Sequence, residues 1–401
     1  MLYEEKVIET IPVGPLGLIP LNSCTELGSK VDAYLVDWRC ERESEHKSTI
    51  AFSGYQRDSY IIQASTPRFG SGEGKGTVLQ SVRGDDLYIM VDVCNYSLTY
   101  SLFGMTNHMS PDDHFQDLKR VIAAAAGKAR RINVIMPFLY EGRQHKRTSR
   151  ESLDCAMMLE ELIQMGVSNI ITFDAHDPRV QNAIPLNGFD NFMPTYQFIK
   201  ALFAHDKTLK IDKDHLMVIS PDEGAMSRAV YLANNLGVDM GMFYKRRDYS
   251  RIVNGRNPIV AHEFLGSSVE GKTVLIIDDM ISSGESMLDT AKALKERKAE
   301  RVVVCTTFGL FTNGLDKFDE FYAKEYIDCV VTTNLNYRTK ELLEREWYVE
   351  ADMSKFIAAI INSLNHNVSL ENALTPTAKI QKLIRRYNEN ADGFQYFKTL
   401  V

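Results

Sequence analysis

Residues 273–286, TVLIIDDMISSGES, constrain the fold of this chain more than any other stretch. The run 274–277 is uninterrupted apolar and rich in β-branched side chains, the pattern of a strand covered on both faces of a parallel sheet. Two adjacent carboxylates, Asp278 and Asp279, close it. A short loop with Ser282, Ser283, Gly284 and Ser286 follows, and then a helical pattern over 287–298. That order puts the acids at the carboxyl end of a strand, where ligands of open α/β sheets bind. Asp278 and Asp279 are placed to accept hydrogen bonds from sugar hydroxyls. The backbone N–H groups of 282–286, with the hydroxyls of Ser282, Ser283 and Ser286, are candidates for wrapping a phosphate at the positive end of the next helix. Two acids beside a phosphate cradle suit ribose 5-phosphate better than the tail of a nucleoside triphosphate. The plainer alternative, an ordinary strand-to-helix corner with an acidic turn, leaves unexplained why a hydroxyl-Gly-x-hydroxyl loop follows the acids directly.

Short apolar runs at 87–91, 132–136 and 170–173 alternate with helical patterns at 115–129 and 152–165, and runs at 216–219, 240–243, 274–277, 301–304 and 329–331 repeat the plan. Such alternation predicts βαβ units and an α/β fold of two domains, each a mainly parallel sheet flanked by helices. The length, 401 residues, exceeds one ordinary core. The segment 178–213, with Pro178, Pro185 and Pro194, leads from one half to the other, so the boundary is set near residue 195. The expected parts are 1–195, 196–350, and a C-terminal helix and tail over 351–401.

Composition narrows the function. Hydrophobic residues make up 44% and charged residues 25%, as in a soluble globular chain. A net charge of −7 argues against nucleic acid or an anionic membrane as partner. The six cysteines show no CxxC spacing, so they are expected to be buried small hydrophobes in a reducing compartment. The first residues lack the basic and apolar regions of a signal peptide, and no apolar run reaches the length of a membrane span. The expected location is the cytoplasm.

Other segments carry candidate chemistry. Residues 134–144, VIMPFLYEGRQ, end in Arg143 and Gln144, and a basic stretch follows; arginine can stack on a base and fork to phosphate. Residues 169–176, NIITFDAH, end a strand in an acid and His176; a lone histidine is more often structural than a ligand. Residues 218–224, VISPDEG, place Asp222 beyond another strand, and Lys245 and Arg247 follow in YKRR, 244–247. If that strand continues, alternation puts Lys245 and Arg247 on one face; the alternative is a solvated basic loop. Phe69, Ser71 and Glu73 occupy a Gly-rich stretch with the look of an ordinary turn.

In this order the segments resemble the ribose-phosphate pyrophosphokinase family, with its type I phosphoribosyltransferase-like fold. The resemblance runs from about residue 15 to about residue 372 and is loose over the first 65. It implies two phosphoribosyltransferase-like domains. The first would carry the nucleotide hairpin, the Arg-Gln loop and the Asp-x-His element, and the second the ribose 5-phosphate loop. It implies transfer of pyrophosphate from ATP to O1 of ribose 5-phosphate, with Mg2+. By residue, it implies that Phe69, Ser71, Glu73, Arg143 and Gln144 bind ATP. His176 and Asp222 would lie on the metal side. Lys245 and Arg247, with His176, would be catalytic, and Asp278, Asp279, Ser282, Ser283, Gly284 and Ser286 would hold ribose 5-phosphate. Because the family's hairpin completes a neighbouring subunit's site, the resemblance also implies a homo-oligomer, a hexamer built of dimers.

Three departures bear on this. Ser282 stands where the family usually has an aspartate, and His145 where an acid is usual. The segment 38–60 is an insertion whose polar part, 38–47, is expected to be a surface excursion. Residues 375–401 form a basic then aromatic tail beyond the resemblance. Two other readings remain in play: a catalytically silent regulatory homologue, which would explain Ser282, and a salvage phosphoribosyltransferase, which would explain the 274–286 loop alone.

Overall fold

The computed structural model describes residues 10–44, 54–247 and 259–389. Two compact units emerge. The first comprises the chain through Met193 together with Asn334–Tyr337 and Asp352–Thr375; the second comprises Pro194–Thr333, Arg338–Ala351 and the chain from Pro376 onward.

The first unit is built on a parallel five-stranded sheet in the order Leu16–Pro20, Asp86–Met90, Arg131–Ile135, Asn169–Phe173, Gly188–Phe192. On one face Val134 and Ile170 pack against Leu118, Val121 and Ile122 of the helix Pro111–Ala125 and Met158, Leu159 and Leu162 of the helix Asp154–Gln164. The first of these helices begins four residues before the 115–129 pattern because a cap, not apolar periodicity, sets its start. Ser110 Oγ accepts from the Asp113 N–H at 3.2 Å, the Asp113 carboxylate accepts from the Ser110 N–H at 2.9 Å, and Pro111 opens the helix.

The surface excursion expected at 38–47 is not what the structure shows for its described part. The helix Thr25–Ser44 runs through it and packs along the helix Ser354–Asn365. Arg39 is only 2% exposed. Its guanidinium lies over the rings of Tyr55 and Tyr60, at 4.4 and 4.8 Å, and its Nη2 donates to Asn365 Oδ1 at 2.8 Å. Asn365, itself fully buried, donates in turn to Gly14 O at 3.1 Å and to Asp86 Oδ2 at 2.9 Å. Asp86 is also clamped by Arg131, whose Nε and Nη2 each donate at 2.7 Å. A buried charge needs such partners. Asn365→Ala is therefore expected to lower the unfolding free energy by about 1–3 kcal/mol, the cost of leaving buried polar groups unsatisfied. A urea midpoint within error of wild type, at unchanged slope, would show the network to be dispensable.

The second unit holds a seven-stranded sheet in the order Ile259–Leu265, Asp239–Arg247, Leu216–Ser220, Thr273–Ile281, Arg301–Gly309, Cys329–Thr333, Tyr348–Ala351. Only the Ile259–Leu265 strand is antiparallel to its neighbour. Side-chain alternation divides the core cleanly. Leu216, Val218, Leu275, Ile277, Val303 and Cys305 face the helices Thr195–His205, Met226–Leu236 and Thr377–Glu389. Met217, Ile219, Val274, Ile276, Val302 and Val304 face the helix Glu285–Glu296 and the Phe318–Trp347 ring pair. The chain starts at Leu216–Ser220, turns to one side for Asp239–Arg247, and returns to the other for Thr273–Ile281. The strand order therefore reverses between Leu216–Ser220 and Thr273–Ile281, which is a topological switch point.

Part of the 375–401 segment belongs to the core: in the helix Thr377–Glu389, Ile380 and Leu383 are buried, and Tyr387 stacks on Phe203 at 4.0 Å. Residues 390–401 lie outside the described part. No cysteine is in a disulfide, and Cys24, Cys155, Cys305 and Cys329 are buried; burial pushes the Cys155 thiol up to about 12, so it is an inert hydrophobe. No helix among the described residues is long and apolar enough to cross a membrane.

Candidate functional site

The acid pair sits at the switch point. The strand runs past the acids to Ile281, because Asp278, Met280 and Ile281 still pair with Thr306, Phe308 and Gly309. The carboxylates are thus held by sheet rather than by loop. Asp279 is buried, Asp278 is half-buried, and the Asp279 N–H donates to Asp278 Oδ1 at 2.9 Å. Burial pushes the Asp278 carboxyl well above the usual carboxylate range, and the negative charges of Asp279 and then Asp222 push it the same way. Asp222 follows the neighbouring strand Leu216–Ser220, where its Oδ1 accepts from the Gly224 N–H at 3.0 Å. Behind Asp279 lies the buried Arg228, with Nη2 3.9 Å from Asp279 Oδ2.

The loop after the acids is built around one glycine. Gly284 has φ +84°, and a Cβ there would fall 2.5 Å from the Phe318 ring. Backbone conformation and space both require glycine. Ser282 O accepts from the Thr312 N–H at 2.9 Å, tying the loop to the next connection. The helix Glu285–Glu296 then starts with no side-chain cap, so its first-turn N–H groups and the positive end of its dipole serve the loop. The second unit thus brings together Asp222, Asp278, Asp279 and the loop with Ser282, Ser283, Gly284 and Ser286.

The backbone of Asp239–Arg247 is strand through Arg247, with a register shift between Arg246 and Arg247. That shift removes the strict alternation on which a shared face for Lys245 and Arg247 depends. The side chains of Lys245, Arg246 and Arg247 lie outside the described part of the structure.

In the first unit, Asp174 ends its strand in the left-handed region, φ +43°, buried, with its N–H donating to Phe192 O at 2.9 Å. The turn leaves His176 exposed. The loop after Arg143 and Gln144 reaches it: the rings of His145 and His176 are 5.4 Å apart. Gln144 Nε2 donates to Ser152 O at 2.9 Å and closes that loop, while Arg143 is exposed. His145 Nε2 is 3.5 Å from Asp177 Oδ2. Hydrogen bonds from Arg179 hold the Asp177 carboxyl well below its usual range.

Phe69, Ser71 and Glu73 share one hairpin. The Phe69 N–H donates to Glu73 O at 2.8 Å, Ser71 Oγ donates to Glu73 Oε2 at 2.9 Å, and the Phe69 ring is 59% exposed. Its base is Arg68, which lies over the Tyr100 ring at 5.3 Å and donates to Asp117 at 2.6 Å. Arg68, Arg228 and the His145–Asp177 contact escaped sequence reasoning. Each depends on a partner from another element.

No three His, Cys, Asp or Glu side chains among the described residues converge as a metal cluster. The donor set around Asp278 still fits a hard divalent ion. Carboxylate oxygens suit such an ion, and an ion that keeps its waters and leans on phosphates needs few protein ligands.

The family model for the N-terminal domain of ribose phosphate pyrophosphokinase matches residues 16–166, and that for the phosphoribosyl transferase domain matches 197–341. The ribose-phosphate pyrophosphokinase of Pasteurella multocida is 27% identical over 78% of this chain and 91% of its own length. That of Chromobacterium violaceum is 29% identical over 69% and 76%. The structure of phosphoribosylpyrophosphate synthetase from Mycobacterium smegmatis superposes with a TM-score of 0.67 at 21% identity, covering 88% of this chain and 99% of that one, and shows the same fold. With one domain model on each half and relatives of one name aligned across both, the chain belongs to the ribose-phosphate pyrophosphokinase family.

Proposed function

We propose that the protein transfers the diphosphoryl group of ATP to O1 of ribose 5-phosphate, giving phosphoribosyl diphosphate and AMP. The observation that carries this reading is the Asp278–Asp279 pair at the switch point, running directly into a glycine-opened, uncapped helix start. Asp278 and Asp279 accept from the ribose 2- and 3-hydroxyls, and the 282–286 loop holds the 5-phosphate. O1 is thereby fixed where the β-phosphorus arrives, and such orientation can remove several kcal/mol of barrier. O1 bonds to the β-phosphorus as the bond to the α–β bridging oxygen breaks. AMP leaves with that oxygen, and the O1 proton passes to solvent. Phe69, Ser71, Glu73, Arg143 and Gln144 bind the ATP, and Lys245 and Arg247 offset charge on the transferring group. His176 and Asp222 are the residues that would hold Mg2+, which when bound would supply charge neutralisation at the phosphate oxygens. The working form is a cytoplasmic homo-oligomer, a hexamer built of dimers, in line with the exposed Phe69 at the tip of a hairpin.

Ser282 favours one rival, a silent regulatory homologue. Purified protein with ATP, Mg2+ and ribose 5-phosphate is expected to form AMP only when the sugar phosphate is present. Ser282→Asp replaces a hydroxyl donor by an acceptor, and is expected to shift the KM for ribose 5-phosphate by roughly ten- to a hundredfold, the worth of one charged hydrogen bond. A silent wild type with an active Ser282→Asp variant would make the natural protein a disabled member.

A further inference from the structure

We propose that the hairpin of strands Thr99–Leu102 and Met105–His108 positions the neighbouring hairpin, 69–73, for ATP: Tyr100, Leu102 and the Phe103 backbone hold that hairpin in its binding shape. The inference deepens the function proposed above and rests on its assignment of Phe69, Ser71 and Glu73 to ATP. Both hairpins belong to the first unit.

A short hairpin in solvent needs support from outside itself, because two strands alone are marginal in water. Residues 69–73 are closed by the Phe69 N–H donating to Glu73 O and the Gly72 N–H donating to Phe69 O, each at 2.8 Å. Phe69, Ser71 and Glu73 are all exposed. Exposed backbone bonds with little apolar burial belong to the easily opened parts of a fold. The shape offered to a ligand here is therefore set by what lies against it.

The second hairpin touches the first at three points. Strand alternation leaves Thr99 and Ser101 exposed and turns Tyr100 and Leu102 inward, half-buried. Leu102 fills the space beside Gly72, where a Cβ would fall 2.6 Å from Leu102 Cδ1; with φ +91°, Gly72 must be glycine on both counts. Tyr100 meets Arg68, the residue before Phe69, with the guanidinium 5.3 Å from its ring centroid. The Arg68 side chain is buried and also donates to Asp117, at 2.6 Å, so a ring and a carboxylate share the work of holding a buried cation. The Tyr100 hydroxyl donates to Asp113 Oδ1 at 3.4 Å, and Asp113 is fixed in the cap of the helix Pro111–Ala125.

The third contact is made by backbone. Phe103 lies in the left-handed region, φ +48°, which a bulky residue seldom adopts. Its ring is 78% exposed, so packing does not account for that conformation. The conformation instead accompanies a bond to the first hairpin: the Phe103 N–H donates to Gly70 O at 2.8 Å, between Phe69 and Ser71. Contacts at Arg68, Gly70 and Gly72 thus bracket Phe69 and Ser71. A loop ordered before its ligand arrives spares the ordering cost on binding. Loosening it should appear in ATP affinity, leaving ribose 5-phosphate and the chemical step alone.

The test uses the full chain with Mg2+. ATP affinity is read by calorimetry, KM and kcat by AMP formation, and the order of 68–74 by amide hydrogen exchange without ATP. Leu102→Ala and Tyr100→Ala are each expected to weaken ATP by about tenfold and to speed exchange at Phe69 and Gly72, with kcat and the KM for ribose 5-phosphate within about twofold of wild type. Tyr100→Phe keeps the ring over Arg68 and should recover most of the ATP affinity. Ser101→Ala, on the outward face, should change nothing. Thermal unfolding checks each variant, and Leu102→Val serves if the alanine form does not fold. ATP affinity and exchange that stay at wild-type values in both alanine variants overturn the proposal. So does an equal loss for ATP and ribose 5-phosphate with a lowered midpoint, which would mean general destabilisation. Phe103→Gly keeps the N–H and suits the left-handed backbone; ATP affinity lost there with exchange unchanged would put the ring itself on the nucleotide and also overturn positioning. Phe69→Ala separates the two levels. If it leaves ATP affinity intact, the reading of the first hairpin fails; if it weakens ATP while Leu102→Ala and Tyr100→Ala do not, this inference alone fails.

Discussion

Alanine at both Lys245 and Arg247 is expected to lower kcat by about a thousandfold, while the KM for ribose 5-phosphate moves by less than about tenfold. The backbone gives the reason for choosing them. The strand Asp239–Arg247 is parallel to Leu216–Ser220, with Ser220 opposite Met242. Residues 243–247 therefore extend beyond the strand end that leads to Asp222, on the edge where Asp278 and Asp279 also emerge. Two basic residues at that end of the sheet would meet the charge demand of phosphoryl transfer, which calls for positioning and neutralisation rather than a covalent group. An interaction made mainly in the transition state appears in kcat. Single substitutions should each cost about a hundredfold or more, the scale of losing one donor to a developing charge. Steady-state kinetics of AMP formation with ribose 5-phosphate and ATP varied separately give both parameters. Variants that keep kcat and lose only affinity would make these residues ground-state clamps.

Much of the site was legible because it is local. A parallel strand buried on both faces reads as an apolar run, and acids, hydroxyls and Gly284 follow within a few residues, so Asp278 to Ser286 could be read from order alone. The strand's true end could not. Aspartate is a poor strand former, and pairing with Arg301–Gly309 carries the strand through the acids to Ile281. No strand was legible before 87, because Pro15, Gly17 and Pro20 mask Leu16–Pro20, which nonetheless pairs in register with Asp86–Met90. The buried charges were the least legible. Arg39 looks like a surface residue within a polar stretch, yet its partner Asn365 lies 326 residues away. Periodicity describes one element at a time and carries no information about such a pair. The His145–His176 contact is of the same kind: each residue was visible, and their adjacency was not.

The acid pair offers a test in which binding and stability should move apart. Asp278→Asn and Asp279→Asn are each expected to weaken ribose 5-phosphate binding by roughly ten- to a hundredfold, since an amide replaces a charged acceptor that sugar hydroxyls use. The effects on stability differ. Burial and the charges of Asp279 and Asp222 raise the Asp278 carboxyl above its usual range in the folded protein. A carboxyl raised on folding binds its proton more tightly in the native state, so at neutral pH its ionisation works against the fold. Asp278→Asn removes that charge and is expected to hold or raise the unfolding midpoint. Asp279→Asn instead takes a charge from beside the buried Arg228, 3.9 Å away, and is expected to lower the midpoint. The double variant should lose more affinity than either single one, though not the product of the two, because neighbouring groups share one ligand. Calorimetric titration with ribose 5-phosphate and thermal unfolding at neutral pH read the two quantities independently. Wild-type affinity in both single variants would remove the sugar from this loop. A lowered midpoint in Asp278→Asn alone would show that its carboxylate supports the fold instead of being held in place for a ligand.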